Sequence, residues 1–267
     1  MQPGSNTVSS AACAMAVMGK ASIPGKVKTR LVPPLTADEA AQLNTAFLQE
    51  IIDNIDAAAR EVDVSPWIAY GPAGTEEFFR ALLPPRVGLL ECAMPNFGDC
   101  LTFATETLLG RGYGSVCVIN SDSPTLPTAV LIEAARILAV PGDRAALGPC
   151  LDGGYYLLGL KKPHRHMFER IDWSTERVFE QTRVRAAEIG LPLVLLEPWY
   201  DVDDITALRR LRDELLPTSP RAESAPINTA RHARAALIRM LQIQGLAHRL
   251  ADPGAQDLSA SHDPEVG

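Results

Sequence analysis

The chain has 267 residues, 46% of them hydrophobic, enough for one sizeable core or for a core with a small appendage. A formal net charge of −7 excludes the overall basic footprint of a dedicated nucleic-acid binder, so any anion site must be local. The cysteines (Cys13, Cys92, Cys100, Cys117, Cys150) are odd in number and form no C-x-x-C pair. They point to reduced, buried thiols in a cytoplasmic protein rather than to disulfides or zinc.

In chain order, residues 1–10 read as a flexible start. Residues 11–18 are apolar but too short, and too poor in preceding basic residues, for a signal peptide or membrane span, and no later run would cross a bilayer. Residues 12–18 and 115–120 ("SVCVIN") read as buried parallel strands because their apolar residues run together without alternating. Weaker strand candidates are 66–70, 87–91, 145–148, 155–160 and 193–196. Helical periodicity fills the gaps. Residues 36–59 pair a capping Thr36 with Glu39 and align Ala40, Leu43, Phe47, Ile51 and Ile55 on one face. Further helices are expected at 76–83, 100–109, 128–139, 175–189 and 204–216. This alternation implies an α/β domain over 11–216, with a mostly parallel, Rossmann-like sheet covered by helices on both faces. Residues 217–226 form a polar, Pro- and Ser-rich linker. Segment 227–250 carries one basic amphipathic helix over 229–250, packed on the main domain or on another subunit of a homodimer, and 251–267 reads as a disordered tail.

Ligands of open parallel sheets bind beyond the carboxyl ends of the strands. After the first strand, "GKASIPGKVKTRL" clusters Lys20, Lys26, Lys28 and Arg30 around a Pro-Gly turn. It is not a P-loop: the glycine spacing is one residue too long, and Val27 stands where a metal-binding Ser or Thr belongs. A solvated loop and a phosphate-binding loop both fit, with the Pro-Gly turn and the Arg30 fork favouring phosphate. After "SVCVIN", Asp122 in "SDSPTLP" can order a turn or hold a divalent ion. In "WYDVDD", Asp201 and Asp203 project to one side of an extended chain and Asp204 is placed to cap the next helix, while Trp199 and Tyr200 read as wall or core. In "GPCLDGGYYLLGL", Asp152 with Gly153 and Gly154 fits a tight turn between strands or a site where backbone approaches a ligand. His164 and His166 sit in a basic turn and read as surface residues. Ser174 in "DWSTERV" is placed to cap a helix.

Taken in order, "GKASIPGKVKTRL", "NSDSPTLP", "GPCLDGGYYLLGL", "DWSTERVFEQT" and "WYDVDD" resemble a bacterial family of the glycosyltransferase-A superfamily labelled radical-SAM/selenodomain-associated transferases. The resemblance covers roughly residues 11–216 and implies the nucleotide-diphospho-sugar transferase fold. It assigns Lys20, Gly25, Lys28 and Arg30 to the nucleotide's base or phosphates, with Asn96 and Gly98 of "NFGDCLTFATETLL" beside the base. It assigns Mg²⁺ or Mn²⁺ to Asp122 and Asp203, with Asp201 next in line, although "SDSP" lacks one ligand of the superfamily's Asp-x-Asp. Asp152, Gly153 and Gly154 would face the sugar or acceptor, with Trp173 and Ser174 also on the substrate side.

Two chemistries then fit. In glycosyl transfer from a nucleotide sugar to a small acceptor, the metal at Asp122 and cations such as Lys28 neutralise the departing diphosphate, and Asp152 is the candidate base. In nucleotidyl transfer, an anionic acceptor attacks a nucleoside triphosphate and pyrophosphate leaves, with no base required. The first is preferred on the superfamily assignment. A nucleotide-binding protein without turnover is the remaining alternative.

Overall fold

The structure is a computed structural model and describes residues 11–217, 229–243 and 245–250. Residues 1–10, most of the expected linker and the expected tail lie outside the described residues.

Among the described residues, seven strands form one sheet in the order β3-β2-β1-β4-β6-β5-β7. They are β1 (Cys13–Lys20), β2 (Val64–Gly71), β3 (Gly88–Glu91), β4 (Ser115–Ile119), β5 (Ala145–Pro149), β6 (Tyr155–Leu160) and β7 (Leu193–Leu195). Only β6 runs against its neighbours, β4 and β5. Because β6 is a hairpin return, the carboxyl ends of β1, β4 and β5 share one edge.

The unbroken apolar run of β1 is explained by burial on both sides. Cys13, Met15 and Val17 pack on one face, and Ala12, Ala14 and Ala16 on the other. The first face is covered by α1 (Ala37–Ala58), α2 (Glu76–Leu82) and α4 (Thr128–Ala139); the second by α3 (Phe97–Gly110) and α5 (Val178–Glu188). The capping box of α1 forms as expected: the Thr36 hydroxyl accepts the Glu39 N–H, and the Glu39 carboxylate accepts the Thr36 N–H.

A third apolar cluster lies outside the sheet. Phe47 and Leu43 of α1 pack there with Leu208 and Leu211 of α6 (Ile205–Leu215), and with Leu31 and Leu35 from the segment before α1. The cluster is closed by Leu237 and Met240 of α7 (Arg231–Gln242) and by Leu246 and Leu250 of α8 (Leu246–Leu250). The single C-terminal helix expected from the pattern is thus two helices, separated at Gly245, whose φ of +69° is a left-handed conformation. No helix of the described residues is long and apolar enough to cross a membrane.

Candidate active site at the carboxyl edge of the sheet

Two sets of backbone hydrogen bonds bring distant acidic segments together at this edge. The Val202 N–H donates to the Asp122 carbonyl at 2.8 Å, seating Asp203 beside the end of β4. Trp199 bridges Cys150, its N–H donating to Pro149 O and its carbonyl accepting from Leu151, each at 3.0 Å. That extension of β5 lays Asp201 against the β5–β6 hairpin. Asp204 then caps α6 through the Ala207 N–H at 2.8 Å, as its position in the sequence suggested.

Lys28 lies at the centre. Its ammonium is 2.8 Å from Asp122 Oδ1, 3.1 Å from Asp203 Oδ1 and 2.8 Å from the Val202 carbonyl, and 5.0 Å above the Phe47 ring. Its side chain is 3% exposed, against 28% for Asp122 and 40% for Asp203. Burial disfavours the ammonium, but Asp122 and Asp203 outweigh it and hold the lysine pKa above its ordinary value. Burial raises the Asp203 carboxyl against the pull of Lys28. Arg30 is exposed, and its charge is felt at Asp203.

Among the described residues, the second half of the cluster has no ion pair of this kind. Donor atoms of Cys150, Asp152 and Asp201 lie within 4.8 Å of one another. Burial, then the charges of Asp152, Asp203 and Asp122, push the Asp201 carboxyl up to about 7. Burial, then the charges of Asp201, Asp152, Asp122 and Asp203, push the Cys150 thiol up, so it stays protonated. Cys150 was not singled out from the sequence; its only signal was its place two residues before Asp152.

Asp152 sits at the exposed tip of the hairpin, where its Oδ1 accepts the Gly154 N–H at 2.9 Å. Gly153 has φ +91°, and a Cβ there would lie 2.2 Å from the Glu176 carbonyl oxygen. The turn reading of Asp-Gly-Gly therefore holds, and the same turn carries a carboxylate to the cluster.

Gly98 and Trp173, placed by the sequence beside base and substrate respectively, touch each other: a Cβ on Gly98 would be 2.9 Å from Trp173 Nε1. Phe97 crosses Trp173 edge-on at 5.3 Å and is 46% exposed, leaving an aromatic surface at the start of α3. Asn96 caps α3 by accepting the Asp99 N–H, which starts the helix three residues before the periodicity did. Ser174 does not cap α5. It adopts φ +65°, and α5 begins only at Val178, because the Thr175 hydroxyl turns back to the Asp172 carbonyl. Lys20 is exposed at the end of β1 and Gly25, at φ +75°, faces open space.

Residues outside the cluster have structural partners. His164 pairs with Asp143 and His166 with Glu188, so the two rings serve different carboxylates. Trp199 donates to the Thr125 hydroxyl and Tyr200 bonds Glu214, fixing the wall beneath the acidic segment. A cavity of about 590 Å³ on the other flank of the first loop, lined by Ser22, Pro24, Thr36, Asp38, Glu39 and Phe78 among others, contains none of Asp122, Asp152, Asp201 and Asp203.

A comparison with curated proteins finds no match. Among solved structures, a protein from Desulfovibrio desulfuricans G20, provisionally described as a nucleotide-diphospho-sugar transferase, is 27% identical and superposes with a TM-score of 0.72, covering 90% of this chain and 98% of that one. More distant is CMP:2-keto-3-deoxy-manno-octonic acid synthetase complexed with CTP, 11% identical with a TM-score of 0.48, over 76% of this chain and 98% of that one. So is 4-diphosphocytidyl-2C-methyl-D-erythritol synthase from Anaerococcus prevotii DSM 20548, 8% identical with a TM-score of 0.49, over 78% of this chain and 100% of that one. The chain thus has the α/β fold of the nucleotide-diphospho-sugar transferases, and its residues 54–175 match the family described as an uncharacterized protein conserved in bacteria (DUF2064).

Proposed function

We propose that this chain is a metal-dependent transferase that moves a glycosyl group from a nucleotide sugar to a small-molecule acceptor in the cytoplasm. The observation that carries the reading is the convergence of Asp122, Asp152, Asp201 and Asp203, drawn from three distant stretches, beside Lys28 and within the field of Arg30. The description of the 27% identical neighbour favours glycosyl transfer, and five free, buried thiols support the location.

The donor set fits a hard divalent ion. It is made of carboxylate oxygens, and the one thiol is held protonated, which disfavours a soft-metal site. Burial and, after it, the neighbouring carboxylates hold the Asp201 pKa up, and a bound cation would offset the second of these. Asp122 and Asp203, with Asp201 next to them and Asp152 adjoining, would hold Mg²⁺ or Mn²⁺, whose chemical contribution is to neutralise the departing diphosphate. Arg30 offers a two-pronged contact to a phosphate. Phe97 and Trp173 offer ring faces against which a base or sugar can pack. Among the described residues the second carboxylate oxygen of Asp152 carries no hydrogen bond, and it is the candidate to take the acceptor's proton.

Nucleotidyl transfer is the second reading, favoured by the engagement of Asp152 in its own turn, since an anionic acceptor needs no base. The deciding experiment is thermal stabilisation with Mn²⁺ against nucleoside triphosphates and sugar nucleotides, followed by product identification. Release of free nucleoside diphosphate from a sugar nucleotide supports glycosyl transfer; pyrophosphate release from a triphosphate replaces it with the second reading. Asp122→Ala should lower turnover at least about 100-fold. Full activity in that variant would refute metal-dependent transfer at this edge.

A further inference from the structure

The Lys28 ammonium has three hydrogens and three acceptors: Asp122 Oδ1 at 2.8 Å, Asp203 Oδ1 at 3.1 Å and the Val202 carbonyl at 2.8 Å. A lysine so placed has no donor left for a phosphate. It also covers one oxygen of each carboxylate that a metal ion would use. The lysine and the two aspartates are therefore engaged with each other, and the shared oxygens, that of Asp122 also accepting from the Ser121 hydroxyl at 2.9 Å, are open to a metal ion only once the lysine leaves.

The geometry favours opening by exchange rather than by unfolding of the loop. Asp122 and Asp203 are partly exposed, so an ion can approach them from solvent while Lys28 lies beneath, over Phe47. The Lys28 backbone is pinned by the Leu31 N–H, which donates to its carbonyl at 2.9 Å, and by the buried Leu31 side chain. Movement is then confined to the lysine side chain, a rotamer change once its partners are taken. A divalent ion carries twice the charge of the ammonium, and two cations cannot share the same carboxylate oxygens without repulsion.

Building on the transferase reading, we propose that Lys28 is a resident counter-ion. It fills the cation position between Asp122 and Asp203 in the ligand-free protein, and a divalent ion displaces it, freeing the ammonium for the polyphosphate of the substrate. The acidic site is thereby kept neutralised and ordered between turnovers, and phosphate binding is tied to metal loading.

The test is calorimetric titration of Mn²⁺ alone into the full-length, ligand-free protein, comparing wild type with Lys28→Met and Lys28→Arg. Lys28→Met should bind Mn²⁺ about tenfold or more tightly than wild type, and Lys28→Arg should stay close to wild type. Equal or weaker binding by Lys28→Met overturns the proposal. In the wild type, amine acylation read by mass spectrometry should find Lys28 protected without Mn²⁺ and labelled in its presence. Labelling that Mn²⁺ leaves unchanged also overturns the proposal, and this arm decides if Lys28→Met fails to fold. Neither arm needs turnover, so a failure of the transferase reading, seen as no activity with any donor, remains separable.

Discussion

Gly153 shows how one residue can hold a site without supplying chemistry. Its φ of +91° is reached at low cost only by glycine, and its carbonyl accepts the Phe179 N–H at 2.8 Å where α5 begins. Gly153→Ala combines left-handed strain with a clash against the Glu176 backbone. It should cost about 2–3 kcal/mol, read as a lower urea midpoint, and should weaken Mn²⁺ binding by shifting Asp152. The Asp-Gly turn was legible because its signal is local. The docking on Glu176 was not, because nothing near Gly153 in the sequence marks a partner 23 positions away. Ser174 is the converse: its composition promised a cap, and the competing Thr175 hydroxyl took the turn instead.

Among the elements, α1 was readable nearly to the residue because a capping box and a 3.6-residue period both lie within one stretch of chain. The C-terminal helices were harder, since the apolar period runs on through the break at Gly245. What α8 does was invisible to periodicity. Arg249 bonds both oxygens of the buried Glu39, at 2.6 and 2.7 Å, and the carbonyl of Pro34 at 2.9 Å. It thereby braces the segment that leads from Lys28 and Arg30 into α1. Burial opposes ionisation of Glu39, but the Arg249 and Thr36 hydrogen bonds prevail and hold its pKa below the ordinary value. A depressed carboxylate pKa contributes stability above the unfolded value, about 4.3, which is lost as pH falls through the folded value. Arg249→Ala should therefore cost about 2 kcal/mol near pH 7, a figure discounted for the partial exposure of Arg249. The gap in melting temperature between variant and wild type should narrow below about pH 4.

At the scale of the whole molecule, the third apolar cluster joins the carboxyl edge of the sheet to the C-terminal helices through Phe47, Leu31 and Leu35. Removal of everything after residue 217 would uncover Leu237, Met240, Leu246 and Leu250 and their partners. At roughly 1.5–3 kcal/mol per large apolar side chain, the loss approaches the entire 5–15 kcal/mol that typically holds a domain folded. The truncated chain should lose its cooperative thermal transition and bind a hydrophobic dye. The convergence of Asp122 and Asp203 was foreseeable, because both follow elements that end at one edge and because the ordered motifs resemble a known superfamily. The bond from Lys28 to those same aspartates was not, since contacts spanning 94 and 175 positions leave no trace in local spacing.

The reversal of β6 sets where this architecture can vary. A strand joined by a crossover has its loop lengths dictated by a helix that must recross the sheet, whereas the tip between β5 and β6 springs from two strands already zipped together and is held by Trp199 on one side and by Glu176 and Phe179 on the other. Provided the Gly153 contact is spared, that tip can be lengthened or recomposed while β1 to β4 keep their threading. Enzymes of this build can therefore acquire new preferences at one fingertip while inheriting the grip of the hand.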